Sequence, residues 1–283
     1  MKDSRDHASL LRPMFRWGAA VGGAAAAYMA FEAQWVRCVQ ADLPVPDLPR
    51  AWSGLTVLHL SDVHAGLFPS NEHSLRKAVE WALPLKPDLV FLTGDVLGDP
   101  RHAEPCLRIL SRLEPPLGKF AVTGNHEFGI AKGPLARVRR TDHLWKQAGV
   151  TLLRDRCMAL SERDHSAVVL CGADYLSGGF DLIETAAPFT RGAFTILLTH
   201  EPPTQDSPLS ALFTLVFAGH THGGQLRIPT SRGLVPLNGE DGVHLGGVYE
   251  WGRGVLVVSK GIGTSFVPLR LLTRPEATLW RLV

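Results

Sequence analysis

Five short apolar runs, each leading directly into a metal-binding side chain, constrain this chain more than any other feature. The runs at 55–60, 89–93, 120–123, 195–199 and 215–218 have strand length and strand composition. They lead into Asp62-Val63-His64, Gly94-Asp95, Gly124-Asn125-His126-Glu127, His200 and Gly219-His220-Thr221-His222. In open α/β sheets ligands gather beyond the carboxyl ends of strands, so residues far apart in sequence are expected to meet on one edge. Helical patterns alternate with the first runs. Residues 72–83 place Leu75, Val79, Ala82 and Leu83 at helical spacing, with Pro84 as a stop. Residues 103–113 and 134–147 read the same way, and further strands are expected at 168–171, 254–259 and 277–282. The plan is α/β early and strand-rich late. One domain covers residues 37–283, entered through the extended stretch marked by Pro44, Pro46 and Pro49.

The residue types narrow the chemistry. Imidazole, carboxylate and amide oxygen together suit divalent manganese, iron, cobalt or zinc. Residues two apart in an extended segment share a side, which would let Asp62 and His64, or His220 and His222, face one site. A glycine precedes a ligand at 94, 124 and 219, where close backbone approach is expected. Each motif alone is weak; the five in this order are specific. The other histidines, at 7, 59, 73, 102, 143, 165 and 244, read as core or surface residues, His59 as core. With 45% hydrophobic and 20% charged residues in 283, a sizeable core is expected, and a net charge of +2 gives no case for nucleic acid. Cys38, Cys106, Cys157 and Cys171 form no CxxC pair and do not suggest a disulfide scaffold; Cys171 reads as a buried strand residue.

Residues 1–36 stand apart. Lys2, Arg5, Arg12 and Arg16 precede an Ala- and Gly-rich uncharged stretch that Glu32 closes. Three readings stand: a membrane anchor, a cleavable signal with small residues at Ala25 and Ala27, or a packed N-terminal helix. An anchor would put the domain on the outer face by its positive flank.

The series of ligand motifs resembles the calcineurin-like metallophosphoesterase superfamily over roughly residues 54–283. The later segments Gly223-Gly224-Gln225, 259–265, Pro268-Leu269-Arg270 and Arg274-Pro275-Glu276 are similar to a bacterial branch of membrane-tethered phosphodiesterases and UDP-2,3-diacylglucosamine pyrophosphatases. The resemblance implies two packed mixed β-sheets flanked by helices in a four-layer sandwich, here with an N-terminal apolar helix. It implies one metal on Asp62, His64, Asp95 and His222, and a second on Asp95, Asn125, His200 and His220, with manganese expected first. His126 is implied as the acid that protonates the leaving group. Relatives often carry a second Asp at the position of Gly98; Asp99, one residue later, is a candidate substitute, against a turn role. Glu127 and Thr221 are expected to orient ligands. Arg270 reads either as a phosphate contact or as a structural ion pair, and Arg137, Arg139 and Arg140 as a solvated helix face or an anion-attracting one. The implied activity is hydrolysis of a phosphodiester or pyrophosphate in a lipid or lipid precursor at the bacterial inner membrane, with no protein partner. The alternatives are a soluble substrate such as a cyclic nucleotide, a protein phosphatase, or a non-catalytic scaffold, the last disfavoured by the full ligand set. A lipid nucleotide met on the cytoplasmic face conflicts with an outward-facing domain.

Overall fold

The computed structural model describes residues 4–128, 142–163, 166–177, 179–190, 192–231, 233–237 and 244–283. Along the chain come α1 (Ser4–Glu32), β1 (Arg37–Leu43), β2 (Thr56–Leu60), α2 (Pro69–Ala82), β3 (Leu89–Thr93), α3 (Glu104–Ser111), β4 (Lys119–Val122), α4 (Asp142–Gln147) and β5 (Thr151–Leu152). Then follow β6 (Arg156–Arg163), β7 (Ser166–Gly172), α5 (Phe180–Thr190), β8 (Phe194–Leu198), β9 (Leu215–Ala218), β10 (Arg227–Thr230), β11 (Gly233–Pro236), β12 (Gly247–Trp251), β13 (Gly254–Val258) and β14 (Glu276–Leu282).

Two mixed six-stranded sheets carry the domain, in the orders β1-β14-β2-β3-β4-β5 and β12-β13-β9-β8-β7-β6. Strands β2 to β5 run parallel in the first sheet, and β7, β8, β9 and β13 in the second. Parallel strands covered on both faces need apolar residues nearly throughout, which is why 89–93 and 194–198 are apolar except for Thr93 and Thr195 rather than alternating. The period of two still sorts them by face. Val57, Leu89, Phe91, Phe120 and Val122 meet Leu170, Ile196, Leu198, Phe217 and Val257 between the sheets. Leu58, Leu60, Val90 and Leu92 turn the other way, under α2 and α3. Leu197, Val216 and Leu256 pack on the far face with Leu182 and Ala186 of α5. Helix α2 starts with Pro69 in its first turn and buries Leu75, Ala78, Val79 and Ala82, a single stripe facing the sheet. His59 is a core residue: 2% exposed, it bonds Thr93 Oγ1 at 2.9 Å and sits edge-on to Phe217.

Three expectations change. The N-terminal segment is helical, yet the described residues contain no helix long and apolar enough to cross a membrane. The stretch between Arg16 and Glu32 is shorter than the roughly 20 residues a span requires, and its alanines and glycines contribute little apolar surface. The foot of α1 instead belongs to the domain: Glu32 is buried and accepts the backbone N–H groups of Leu272 and Thr273. Second, Cys157 and Cys171 form a disulfide across β6 and β7, where the hairpin register sets them opposite each other. Nothing in the spacing of the cysteines signals a pairing made by strand register. Third, the helix expected over 134–147 is seen as α4 only from Asp142; Arg137, Arg139 and Arg140 lie outside the described residues.

Candidate metal centre

All seven expected ligands lie just beyond strand ends: Asp62 and His64 after β2, Asp95 after β3, Asn125 after β4, His200 after β8, His220 and His222 after β9. The two sheets therefore each supply part of one cluster. His64 Nε2 lies 2.9 Å from His222 Nε2 and 3.7 Å from Asp95 Oδ2, and His222 Nε2 lies 3.5 Å from Asp62 Oδ1. On the other side, His200 Nε2 lies 3.1 Å from His220 Nδ1 and 3.5 Å from Asp95 Oδ2. Asp95 touches both groups, the position of a bridging carboxylate.

The backbone reaches this arrangement by strain rather than by extension. Asp62, His64, Asp95, His220 and His222 all have positive φ, between 49° and 71°. Such non-glycine conformations are unfavourable and cluster at functional sites. The expectation that Asp62 and His64 share a side because the chain is extended thus has the right result by the wrong route: the chain leaves the strand at Ser61 and coils left-handed. The glycines before the ligands serve close approach. A Cβ on Gly124 would strike Asp95 Oδ1 in the neighbouring loop of the same sheet, and one on Gly219 would strike Ser61 Oγ across the sheets, so larger residues would push these loops apart.

Electrostatics favour bound cations. Burial drives His64 down to about 3 and His222 well below its ordinary value, leaving both imidazoles neutral near pH 7, the form that binds a metal. Burial would also lower His200, but the Asp95 charge outweighs it and holds His200 up near 10. Burial acts to raise Asp95; His200, His64 and His126 outweigh it and keep it below the usual carboxylate range. A proton on His200 thus stands where a cation would. Asn125 Oδ1 is buried with no hydrogen-bond partner among the protein atoms, an orphan acceptor of the kind a divalent ion satisfies. The donor set and this orphan oxygen fit two metals.

Neighbouring side chains hold the ligands in place. Glu127, 1% exposed, accepts the N–H groups of Asp95 (3.0 Å), Leu97 (2.8 Å) and Gly124 (2.7 Å), tying the loops after β3 and β4 together. His200 Nδ1 donates to Thr93 O at 2.8 Å, and the Asp62 carboxylate accepts the His220 N–H. Thr221 is buried and donates from Oγ1 to Leu245 O. Arg270 is wholly buried, its guanidinium donating to the carbonyls of His222, Gly261, Gly263 and Thr273. It braces the loop that carries His222, a third possibility beyond the two its sequence context offered. Asp99 caps the 3-10 turn at Pro100–His102 and pairs with Arg101 and His102. His126 is half-buried at the mouth, its ring edge-on to His64, its N–H bonded to Asp95 Oδ1 and its Nε2 4.0 Å from Asp95 Oδ2. Two residues escaped the sequence reading: Tyr175, edge-on to His200 at 5.9 Å, and Glu201, 3.6 Å from His220 Nε2. Only the position of Glu201 directly after His200 pointed to it.

Residues 55–224 match the family model for calcineurin-like phosphoesterases. The chain is 31% identical to the uncharacterised metallophosphoesterase YkuE of Bacillus subtilis over 83% of its own length and 81% of that protein's. It is 28% identical to the phosphodiesterase YaeI of Escherichia coli, covering 80% and 82%. Among solved structures, TT1561 of Thermus thermophilus aligns over 74% of this chain and 91% of its own, at a TM-score of 0.47 and 14% identity. The chain belongs to the calcineurin-like phosphoesterase family and is a metallophosphoesterase-class hydrolase.

Proposed function

We propose that the chain hydrolyses a phosphodiester or pyrophosphate bond in a lipid or lipid precursor, using two divalent metal ions, manganese being the first to test. The observation that carries the hydrolytic reading is the two-sided cluster about Asp95 with the orphan Asn125 oxygen. Asp62, His64, Asp95 and His222 would hold one ion; Asp95, Asn125, His200 and His220 the other. When bound, the pair supplies Lewis acidity that lowers the pKa of a water and neutralises phosphate oxygens. His126, a partly buried imidazole beside Asp95, donates its proton to the departing oxygen. Its backbone N–H on Asp95 fixes where the ring stands, so the proton is delivered from a position locked to the ligand cluster.

The lipid reading is supported by α1, whose Trp17, Val21, Tyr28 and Phe31 are exposed beside the domain. On this reading α1 lies on the bacterial inner membrane rather than through it. The Cys157–Cys171 disulfide favours an oxidising compartment, hence a lipid diester of the outer face over a cytoplasmic nucleotide lipid such as UDP-2,3-diacylglucosamine. Metal-stripped protein with Mn²⁺ restored is to be assayed on a chromogenic phosphodiester, a phospholipid and UDP-2,3-diacylglucosamine. Metal-dependent cleavage of the chromogenic diester is expected; no cleavage with any metal would defeat the hydrolytic reading. Preference for the nucleotide lipid would overturn the compartment argument.

A further inference from the structure

At the foot of α1, away from the seven ligands, a cavity of about 390 Å³ is lined by Tyr28, Arg37, Arg227, Lys260, Thr273 and Arg274, with Glu32 and Glu276 completing its wall. Four cations face two carboxylates, an excess of two positive charges. Both carboxylates are already engaged. Glu32 accepts the N–H groups of Leu272 and Thr273, and Glu276 is shared by Lys260 Nζ at 3.0 Å and Arg37 Nη1 at 3.6 Å. Among the described residues Arg227 and Arg274 make no ion pair. Arg227 Nε donates to Gly223 O, and Arg274 donates to the carbonyls of Trp35 and Val36 while stacking on the Trp35 ring at 3.8 Å. Thr273, 5% exposed, has a hydroxyl with no hydrogen-bond partner. Two guanidinium groups short of an anion in a single concavity match a phosphate group, which accepts several short charged hydrogen bonds at once.

The rim is apolar. Tyr28 and Leu272 are 44% and 40% exposed. Trp17, Val21 and Phe31 share a helix face with Tyr28, at spacings of four, seven and three along α1 from Trp17 through Val21 and Tyr28 to Phe31. A ligand with a phosphate at one end and hydrocarbon at the other satisfies both features. We propose that this cavity is a second, non-hydrolytic site that holds the phosphate of an anionic lipid headgroup, with the acyl chains against the exposed face of α1. The cavity also adjoins the metal centre through backbone. Arg227 bonds the carbonyl of Gly223, next to His222, and Lys260 precedes Gly261, whose Cβ position lies 2.9 Å from Asp62 Cβ. A headgroup held here keeps the metal cluster beside the lipid surface. That consequence rests on the hydrolytic reading; the binding itself does not.

The test uses the full chain and the variant pair Arg227→Gln with Arg274→Gln, which removes the two guanidinium groups that lack an anionic partner. Co-sedimentation is measured with phosphatidylcholine vesicles, with and without phosphatidic acid, and thermal melting with and without inorganic phosphate. Each cation lost near an anionic surface is expected to weaken binding about fivefold, so the double variant should bind phosphatidic acid vesicles roughly 25-fold less, with its phosphate-induced rise in Tm reduced. Arg274→Gln alone, altering a side chain at the protein surface, carries the test if the double variant does not fold, with about a fivefold loss expected. Vesicle binding that is unchanged in the variants overturns the proposal. A phosphate-dependent Tm rise that is lost in the variants without any vesicle binding by the parent assigns the cavity to a soluble phosphate compound and overturns the lipid as its source.

Discussion

Replacing Glu127 with alanine tests whether the metal centre depends on a residue that touches no metal. Its carboxylate accepts three backbone N–H groups at 2.7 to 3.0 Å, those of Asp95, Leu97 and Gly124, in a site 1% exposed. Each buried donor left without a partner costs about 1–3 kcal/mol, so three set an upper range of about 3–9 kcal/mol. Removing the side chain also removes a carboxylate that burial first, then the Asp95 charge, pushes up to about 7, and water can enter the gap. Both effects offset part of the loss, and the net expectation is about 3 kcal/mol. With a urea m-value of about 3 kcal/mol/M, the unfolding midpoint should fall by about 1 M. Glu127→Gln keeps an oxygen toward Asp95 and Gly124 but turns its NH₂ against the Leu97 N–H, and should fall roughly half as far. Because Asp95 and Asn125 lose their common brace, metal affinity measured by chelator competition should drop about 10- to 100-fold. An alanine variant that unfolds at the parent's midpoint and keeps its metal at the same chelator concentration would refute the bracing role.

Three further outcomes are expected. His126→Ala should keep its metals by elemental analysis while losing about 10²- to 10⁴-fold in turnover on diesters with poor leaving groups, with little loss on nitrophenyl esters; equal losses on both would remove His126 as the acid. His59, which burial pushes down to about 3 in the fold, takes up a proton near pH 6.5 only when unfolded. Stability should therefore fall below about pH 6.5 by about 1.4 kcal/mol per pH unit from this group, and urea midpoints of His59→Gln at pH 7 and pH 5 should lack that slope. Chelating both metals of a protein held at about 1,000 times their Kd should cost about 4 kcal/mol per site, about 8 kcal/mol for the pair, and lower Tm by roughly 20 °C in calorimetry; an unchanged Tm would mean that folding does not depend on the ions.

The centre was legible in the sequence because its ligands follow apolar strands, a pattern that local composition preserves. Asp95, Asn125 and His200 were carried by the same placement directly after strands, together with the resemblance of the motif series to the family. What the sequence hid was whatever long-range pairing decides. Strand β14, the last element, inserts between β1 and β2 and pairs parallel with one and antiparallel with the other; no local pattern encodes that insertion. The Cys157–Cys171 disulfide depends on hairpin register, and the bracing by Arg270 depends on which carbonyls the fold gathers around it. Left-handed backbone at five ligands was hidden for a different reason: propensity favours glycine there, and the chemistry overrode it.

That override shows what the sheets contribute beyond a platform. The ligands are split between them, with Asp62, His64, Asp95 and Asn125 on the first and His200, His220 and His222 on the second. The shortest contacts between ligand side chains pair a histidine with a histidine, His64 with His222 across the sheets and His200 with His220 within the second. Phe91, in contact with both Phe120 and Phe217, locks the inter-sheet core beneath them. A change that loosens this core therefore separates the two halves of the metal set. Phe217→Ala should cost about 3–5 kcal/mol through cavity formation. If the sheets hold the ligand halves together, it should also weaken metal binding although Phe217 touches no ligand atom; a destabilised variant that still folds and binds metal at the parent's affinity would show that the loops alone preorganise the site.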